Sequence, residues 1–448
     1  MPSFKVTSTP KSIEMMAVEQ KYAPHNYTPN PIICESALGS IITDVDGNEY
    51  VDFNDAYSAC NAGHCHPDIV KAVKEQYDKI ALPSRGFTHA RYAEFCKTLC
   101  ELFGFEKVLT VNGGAEAVEF AIKLSRSWGY VKKGIAPNKA KVMMAAKNFH
   151  GRTLGVTSGS TNETARKNYG PFIPNVGPYY GDGKLLEFND VEGLEECFKL
   201  EGKEIAAFIV ESVQGEAGIF TPTPGYLEKV RELCDKYNVL WVADEIQMGT
   251  YRCGPKRWAY ENFSDVKPDV LITAKSISGG LYPVSVVLSS AEIMNTIEPN
   301  THGSTFSGSP IACAATIAAL KVYEDYKIPE HVAEVGPYML DGLRALCDKY
   351  PLITGVRGCG LIAAFDLDGD LLEANGMTCW HVIMFLRAKG IAAKNLHHSP
   401  MIRYCPPLVI TKEQIQIGLD ALEDCCKELL LMKPEDIPGV KEFHYLSH

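Results

Sequence analysis

The chain has 448 residues, 46% of them hydrophobic and 22% charged, with a formal net charge of −11. This length supplies two or three domains with substantial cores, and the composition is that of a folded globular protein. The acidic balance argues against a general binder of nucleic acid or of anionic membrane, while leaving room for a local basic pocket.

No apolar run approaches the ~20 residues needed to span a bilayer. The opening Met1-Pro2-Ser3-Phe4-Lys5 has no signal-peptide core, and Glu14 and Glu19 break the acid-poor pattern of a mitochondrial presequence. The 15 cysteines are odd in number and contain no Cys-x-x-Cys pair, which suits free thiols in a reducing compartment. A cytoplasmic location is expected. Residues 1–62 read as turns and short strands that pack with a smaller domain. His64-Cys65-His66 offers metal-ligand side chains, but strand neighbours point to opposite faces and no second ligand pair follows at suitable spacing. No metal is expected.

From about residue 108 to 290, short apolar runs alternate with helical stretches. The runs cover residues 107–111, 141–145, 206–210, 239–243 and 270–274. Continuous apolar strands of this kind predict an α/β domain, with a mainly parallel sheet covered on both faces. Ligands in such sheets gather beyond the carboxyl ends of the strands. Asn112-Gly113-Gly114, Glu211, Asp244 and Lys275 all stand there. The turn Asn112-Gly113-Gly114-Ala115 opens a helix, so its amides suit a phosphate, although plain strand–helix packing uses the same residues. Phe149 follows the next strand and suits either stacking on a flat ring or ordinary core packing. Asp244 and Lys275 are expensive to bury unless paired. A salt bridge at the sheet rim would satisfy them. So would pyridoxal phosphate, whose aldehyde reacts with a lysine and whose ring nitrogen pairs with a carboxylate.

Beyond residue 310 the pattern changes. Ser309-Pro310 opens a nearly all-apolar helix over 311–323, and 353–366 and 402–410 read as strands. Asp366-Leu367-Asp368-Gly369-Asp370 fits a polar turn better than a calcium loop, because its glycine is misplaced. Thr411-Lys412-Glu413-Gln414 predicts a capping box at the last long helix. The expected domains are 1–62, packing with the small domain; 63–310, the large domain; and 311–448, a connecting helix with a small α+β domain.

In one order along the chain come Asn112–Ala117, Asp244-Glu245-Ile246-Gln247, Lys275 with Gly279-Gly280, and His302-Gly303-Ser304-Thr305. Together they resemble the subgroup III, fold-type-I aminotransferases that use pyridoxal phosphate, over residues 22–429. Within that family, several segments resemble the ornithine aminotransferases: Tyr57-Ser58-Ala59, Gly63-His64-Cys65-His66-Pro67, Gln214-Gly215-Glu216-Ala217-Gly218 and Ile402-Arg403-Tyr404-Cys405-Pro406. The resemblance implies a seven-stranded-type sheet and a homodimer with shared active sites. It implies Lys275 as the lysine that binds the cofactor and moves protons, and Asp244 as the partner of the ring nitrogen. Gln247 would bond the ring hydroxyl, Phe149 and Ile246 would flank the ring, and Gly113, Gly114 and Ala115 would form the phosphate turn. Thr305 would reach the phosphate of the partner subunit.

The resemblance further implies that ornithine and 2-oxoglutarate use one pocket in turn. Tyr27 and Arg152 would hold ornithine's α-carboxylate and Tyr57 would contact its α-amino group. Glu216 would mask Arg403 until 2-oxoglutarate needs that arginine. Other ω-aminotransferases, acting on acetylornithine or 4-aminobutyrate, and a cofactor-binding protein without turnover are the alternatives. The chain departs from the family pattern at Met248, Tyr251, Ser309 and His150, the last standing where tryptophan is common.

Overall fold

The computed structural model describes residues 6, 9–396 and 400–446. Residues 1–5, on which part of the reading of the N-terminal segment rests, lie outside them. Among the described residues no helix is long and apolar enough to cross a membrane. The chain divides into two compact units: Pro67–Tyr326, and Met1–His66 together with Lys327–His448.

The larger unit is built on a seven-stranded sheet. Its strands are β1 (Lys107–Val111), β2 (Lys141–Met144), β3 (Val176–Gly177), β4 (Ile205–Glu211), β5 (Leu240–Asp244), β6 (Val270–Thr273) and β7 (Ser285–Ser289). Their spatial order is β1-β7-β6-β5-β4-β2-β3. Only β7 runs antiparallel to its neighbours, so β1, β2, β4, β5 and β6 all end on the same edge. Every residue of β4, β5 and β6 is buried, which explains their unbroken apolar sequences. The helix Gly114–Trp128 lays Val118, Ala121 and Leu124 against Val142, Ile209, Val242 and Ile272 of the sheet. The architecture is the α/β class anticipated, with a mainly parallel sheet.

The apolar helix spans Pro310–Asp325, and Ser309 Oγ accepts the Ala312 amide at 3.2 Å to cap it. It lies within the larger unit, whereas the sequence grouped it with the C-terminal part.

The smaller unit holds two four-stranded sheets. One joins Cys34–Leu38, Ile41–Asp44 and Glu49–Asp52 to Ile391–Ala392, so both ends of the chain contribute to it. The other contains Ile353–Cys359, Ile362–Leu367, Met401–Tyr404 and Lys394–Asn395. The segment expected as one strand over 353–366 is a hairpin, turned at Gly360 with φ +53°. Arg357 pairs with Asp366 at 2.6 Å and Asp368 caps the helix Gly369–Ala374, so the aspartate-rich segment is a structural turn. At the last long helix, Gln414 N donates to Thr411 Oγ1 at 3.2 Å and Thr411 N to Gln414 Oε1 at 3.0 Å, the capping box anticipated. The helix Pro10–Tyr22 was not anticipated. Its first-turn amides, Lys11 N and Ser12 N, donate to the distant Asp46 at 2.9 Å each.

Candidate active site

Asp244 is the last residue of β5 and only 4% exposed. Its Oδ1 accepts the Ile246 amide at 3.0 Å, and its Oδ2 accepts His150 Nδ1–H at 2.6 Å. Glu211 ends the adjacent strand β4 in register with Asp244. It accepts the Phe149 amide at 3.1 Å and the Gly215 amide at 3.3 Å. Burial pushes its carboxyl up to about 7. For the fully enclosed His150, burial opposes charge. The hydrogen bond and charge of Asp244, with Glu211 adding, outweigh it and raise the imidazole above its ordinary value. Among the described residues, His150 Nε2 is buried without a hydrogen-bond partner.

Lys275 follows β6, the strand beside β5, and opens the 3₁₀ turn Lys275–Ser278 at φ +49°. A left-handed non-glycine residue needs support from its surroundings. Ser278 Oγ supplies some by donating to Tyr282 O at 2.6 Å, and Tyr323 Oη by donating to Ser276 O at 2.7 Å. The sheet thus sets Asp244 and Lys275 on the ends of neighbouring parallel strands.

The turn after β1 has Gly113 at the N-cap of Gly114–Trp128. Glu116 Oε2 accepts the Asn112 amide at 2.9 Å and the Gly113 amide at 3.3 Å, and intrahelical bonding begins with Ala117 N donating to Gly113 O at 3.0 Å, so the amides of Gly114 and Ala115 between them are not consumed by the helix. A Cβ on Gly113 would meet nothing within 4 Å, whereas one on Gly114 would come within 3.1 Å of Ile246 Cδ1. The turn is therefore open on one side and closely backed by Ile246 on the other. Open amides at a helix N-terminus, a buried carboxylate and a lysine on adjacent strand ends match the phosphate, ring nitrogen and aldehyde of pyridoxal phosphate.

The remaining candidates in the larger unit are placed as follows. Phe149 is half-buried, and the guanidinium carbon of the exposed Arg152 lies 5.3 Å from its ring centroid. Gln247 Nε2 donates to Glu216 Oε1 at 3.0 Å. Thr305 is exposed, and its neighbour Ser304 accepts Asn112 Nδ2–H at 2.7 Å, which ties that loop to the glycine turn.

In the smaller unit, Arg403 lies in the strand Met401–Tyr404, is 1% exposed, and sits with its guanidinium carbon 5.0 Å from the Tyr57 ring centroid. Tyr27 is 70% exposed. Tyr57 stands in a run with unusual backbone: Asp55, Ala56, Tyr57 and Ser58 have φ of 52°, 45°, 61° and 70°. This is a left-handed helical turn, which costs non-glycine residues about 1–2 kcal/mol each. Sequence reasoning missed it, and missed its anchors. Asp52 Oδ1 accepts the amides of Asn54 at 2.7 Å and Asp55 at 3.0 Å, and Asp52 Oδ2 pairs with His64 Nε2 at 2.7 Å. It also missed His150 as the partner of Asp244. The available signals were the histidine at the usual tryptophan position and the unexplained His64-Cys65-His66.

The class-III aminotransferases match residues 22–426. The chain is 45% identical over 424 residues to the ornithine aminotransferase of Schizosaccharomyces pombe, covering 94% of this chain and 95% of that one. The crystal structure of the Toxoplasma gondii ornithine aminotransferase superposes with a TM-score of 0.87 at 36% identity, over 94% of this chain and 96% of that one. The acetylornithine aminotransferase of Elizabethkingia anophelis superposes with a TM-score of 0.82 at 42% identity, over 94% of this chain and all of that one, 100%. With its match spanning nearly the whole length, the chain belongs to the class-III aminotransferase family.

Proposed function

We propose that this chain is an ornithine δ-aminotransferase that uses pyridoxal phosphate. It moves the δ-amino group of L-ornithine to 2-oxoglutarate. The products are glutamate 5-semialdehyde, which cyclises, and L-glutamate. The observation that carries the reading is the placement of the buried, histidine-bonded Asp244 and of Lys275 on adjacent strand ends, in a chain of this family.

Pyridoxal phosphate, when bound, supplies a carbonyl carbon that exchanges amines and a ring that withdraws electrons from the carbon losing a proton. Lys275 would hold the cofactor at that carbonyl carbon and would supply, at Nζ, the base that moves the proton. Asp244 keeps the ring nitrogen protonated, and His150 orients its carboxylate. Gln247 would bond the ring hydroxyl, and Phe149 and Ile246 would hold the ring. Gly113, Gly114 and Ala115 bind the phosphate. Tyr27 and Arg152 grip ornithine's α-carboxylate, and Tyr57 meets its α-amino group, so that the δ-amine is the one presented. Arg403 binds the α-carboxylate of 2-oxoglutarate bidentately, and Glu216 masks that charge in the ornithine half-reaction.

Thr305 completes the phosphate site of a second copy, making the working form a homodimer. The exposure of Thr305 and of Phe306, 52% exposed, and Phe87, 75% exposed, supports a covering partner. We place the protein in the cytoplasm, a reading supported by fifteen cysteines that are all free thiols.

The 42% identity to the Elizabethkingia enzyme favours one second reading, transamination of acetylornithine. Parallel assays of ornithine, acetylornithine and 4-aminobutyrate with 2-oxoglutarate separate the two. Ornithine should have the highest kcat/KM and yield the semialdehyde. Faster turnover of acetylornithine would replace the proposal with the second reading.

A further inference from the structure

The left-handed turn that carries Tyr57 has local hydrogen bonds that do not choose its hand. Tyr57 N donates to Asn54 O at 2.9 Å and Ala59 N to Asp55 O at 2.8 Å. The constraint comes from its two ends. At the entry, one oxygen of the buried Asp52 gathers the Asn54 and Asp55 amides, which curls the chain back over the end of its strand. At the exit, Gly63 has φ +83°, and a Cβ there would approach Val409 Cγ2 to 2.8 Å and Gly39 Cα to 3.0 Å. His64 is then pinned by its backbone, donating to Gly39 O at 2.8 Å and accepting from Gly39 N at 3.1 Å. Its Nε2 meets the other oxygen of Asp52 at 2.7 Å.

One carboxylate therefore joins the start of the turn to the segment that follows it. A third tie runs from within the turn, where Ser58 Oγ lies 3.2 Å from Cys405 Sγ, two residues beyond Arg403. The turn and the arginine strand are held as one piece, with the Tyr57 ring over the Arg403 guanidinium. A purely structural His64–Asp52 pair would need neither the amide contacts nor a left-handed turn between its members.

We propose that Asp52 and His64 are positioning residues for substrate specificity. Together they clamp the left-handed turn so that Tyr57 stays where it selects substrates bearing an α-amino group. The proposal rests on the reading of Tyr57 and Arg403 as substrate residues. It also gives a role to the first histidine of His64-Cys65-His66, as a hydrogen-bond clamp.

The test is the ratio of kcat/KM for ornithine to that for 4-aminobutyrate, which lacks the α-amino group, read with the melting temperature in His64→Ala, His64→Gln and Tyr57→Ala. Displacement of a positioning group by about an ångström costs up to roughly a hundredfold. In His64→Ala the ratio should fall between about ten- and a hundredfold, mainly through the KM for ornithine. His64→Gln keeps an N–H donor and should recover most of the ratio. Tyr57→Ala should lower the ratio as well, and the double variant should lower it no further. Should His64→Ala fail to fold, adding Ala56→Gly at an exposed site makes the positive φ easy and supplies a background for the same measurement. If His64→Ala slows both substrates equally while Tyr57→Ala shifts the ratio, the clamp is overturned and the reading of Tyr57 stands. If Tyr57→Ala itself leaves the ratio unchanged, the reading of Tyr57 falls and the clamp falls with it.

Discussion

In the larger unit, Asp244 and Glu211 are the last residues of buried parallel strands and Lys275 follows another. In the smaller unit, Tyr57 rides on a left-handed turn of four non-glycine residues, held by a carboxylate and a histidine from outside it. The first set is placed by the sheet itself, because strand ends follow from hydrophobic burial and register. The second set is placed against local preference, so its geometry depends on a few hydrogen bonds. Asp244 and Lys275, proposed to serve both half-reactions, sit on the rigid frame. Tyr57, proposed to distinguish one substrate from another, sits where small changes can re-aim it.

The comparison is broken most severely at Lys275. Lys275→Ala should fold normally yet lose turnover by roughly 10²–10⁴-fold or more, since proton transfer by a placed side chain contributes that much. Borohydride reduction of the wild-type holoenzyme, digestion and peptide mapping should find the pyridoxyl label on Lys275. A label on another lysine would remove the assignment. Next comes Asp244→Ala, which takes away the charge proposed to face the ring nitrogen and removes the Asp244 partner of His150 Nδ1. A charge-assisted hydrogen bond is worth about 1.5–3 kcal/mol, so cofactor affinity by equilibrium dialysis should fall about 10- to 150-fold. Turnover should fall by more than affinity does. Unchanged affinity and turnover would place Asp244 outside the chemistry.

A smaller effect concerns the frame rather than the chemistry. Glu245, beside Asp244, is enclosed, and it accepts Ser212 Oγ–H, the Ala259 amide at 2.7 Å and the Tyr260 amide at 3.1 Å. Burial pushes its carboxyl up from 4.5 to about 7 despite those bonds. A raised folded value means that its pH-linked stability is fully present below about 4.5 and is lost as pH rises through about 7, by at most roughly 3 kcal/mol. Glu245→Gln cannot titrate. The melting temperature of the wild type minus that of the variant should therefore fall from pH 5 to pH 8. Parallel curves would show that Glu245 ionises in the fold as easily as in the unfolded chain.

The parallel sheet was legible because apolar runs of strand length have few other uses, and the glycine turn, Asp244 and Lys275 were legible because they interrupt those runs at their ends. The capping boxes at Thr411 and the cap at Ser309 were legible for a similar reason, their partners being three residues away. Contacts closed over long sequence distances were not. Asp46 caps the helix Pro10–Tyr22 from 34 residues away, and His150 meets Asp244 across 94. The hairpin at Gly360 hid inside one apolar segment because its turn is only two residues long. The left-handed turn at Tyr57 could not be read at all, since nothing in Asp55-Ala56-Tyr57-Ser58 favours that hand.

The division of labour between the two units is tested most directly by stopped-flow measurement of each half-reaction in Arg403→Ala beside Asp244→Ala. Asp244→Ala should slow the ornithine and the 2-oxoglutarate half-reactions by similar factors, because both use the ring nitrogen. Arg403→Ala should slow the 2-oxoglutarate half-reaction roughly 10- to 150-fold, the worth of one charge-assisted contact, and the ornithine half-reaction far less. Equal losses in both halves for Arg403→Ala would contradict the account and reduce that arginine to a structural residue.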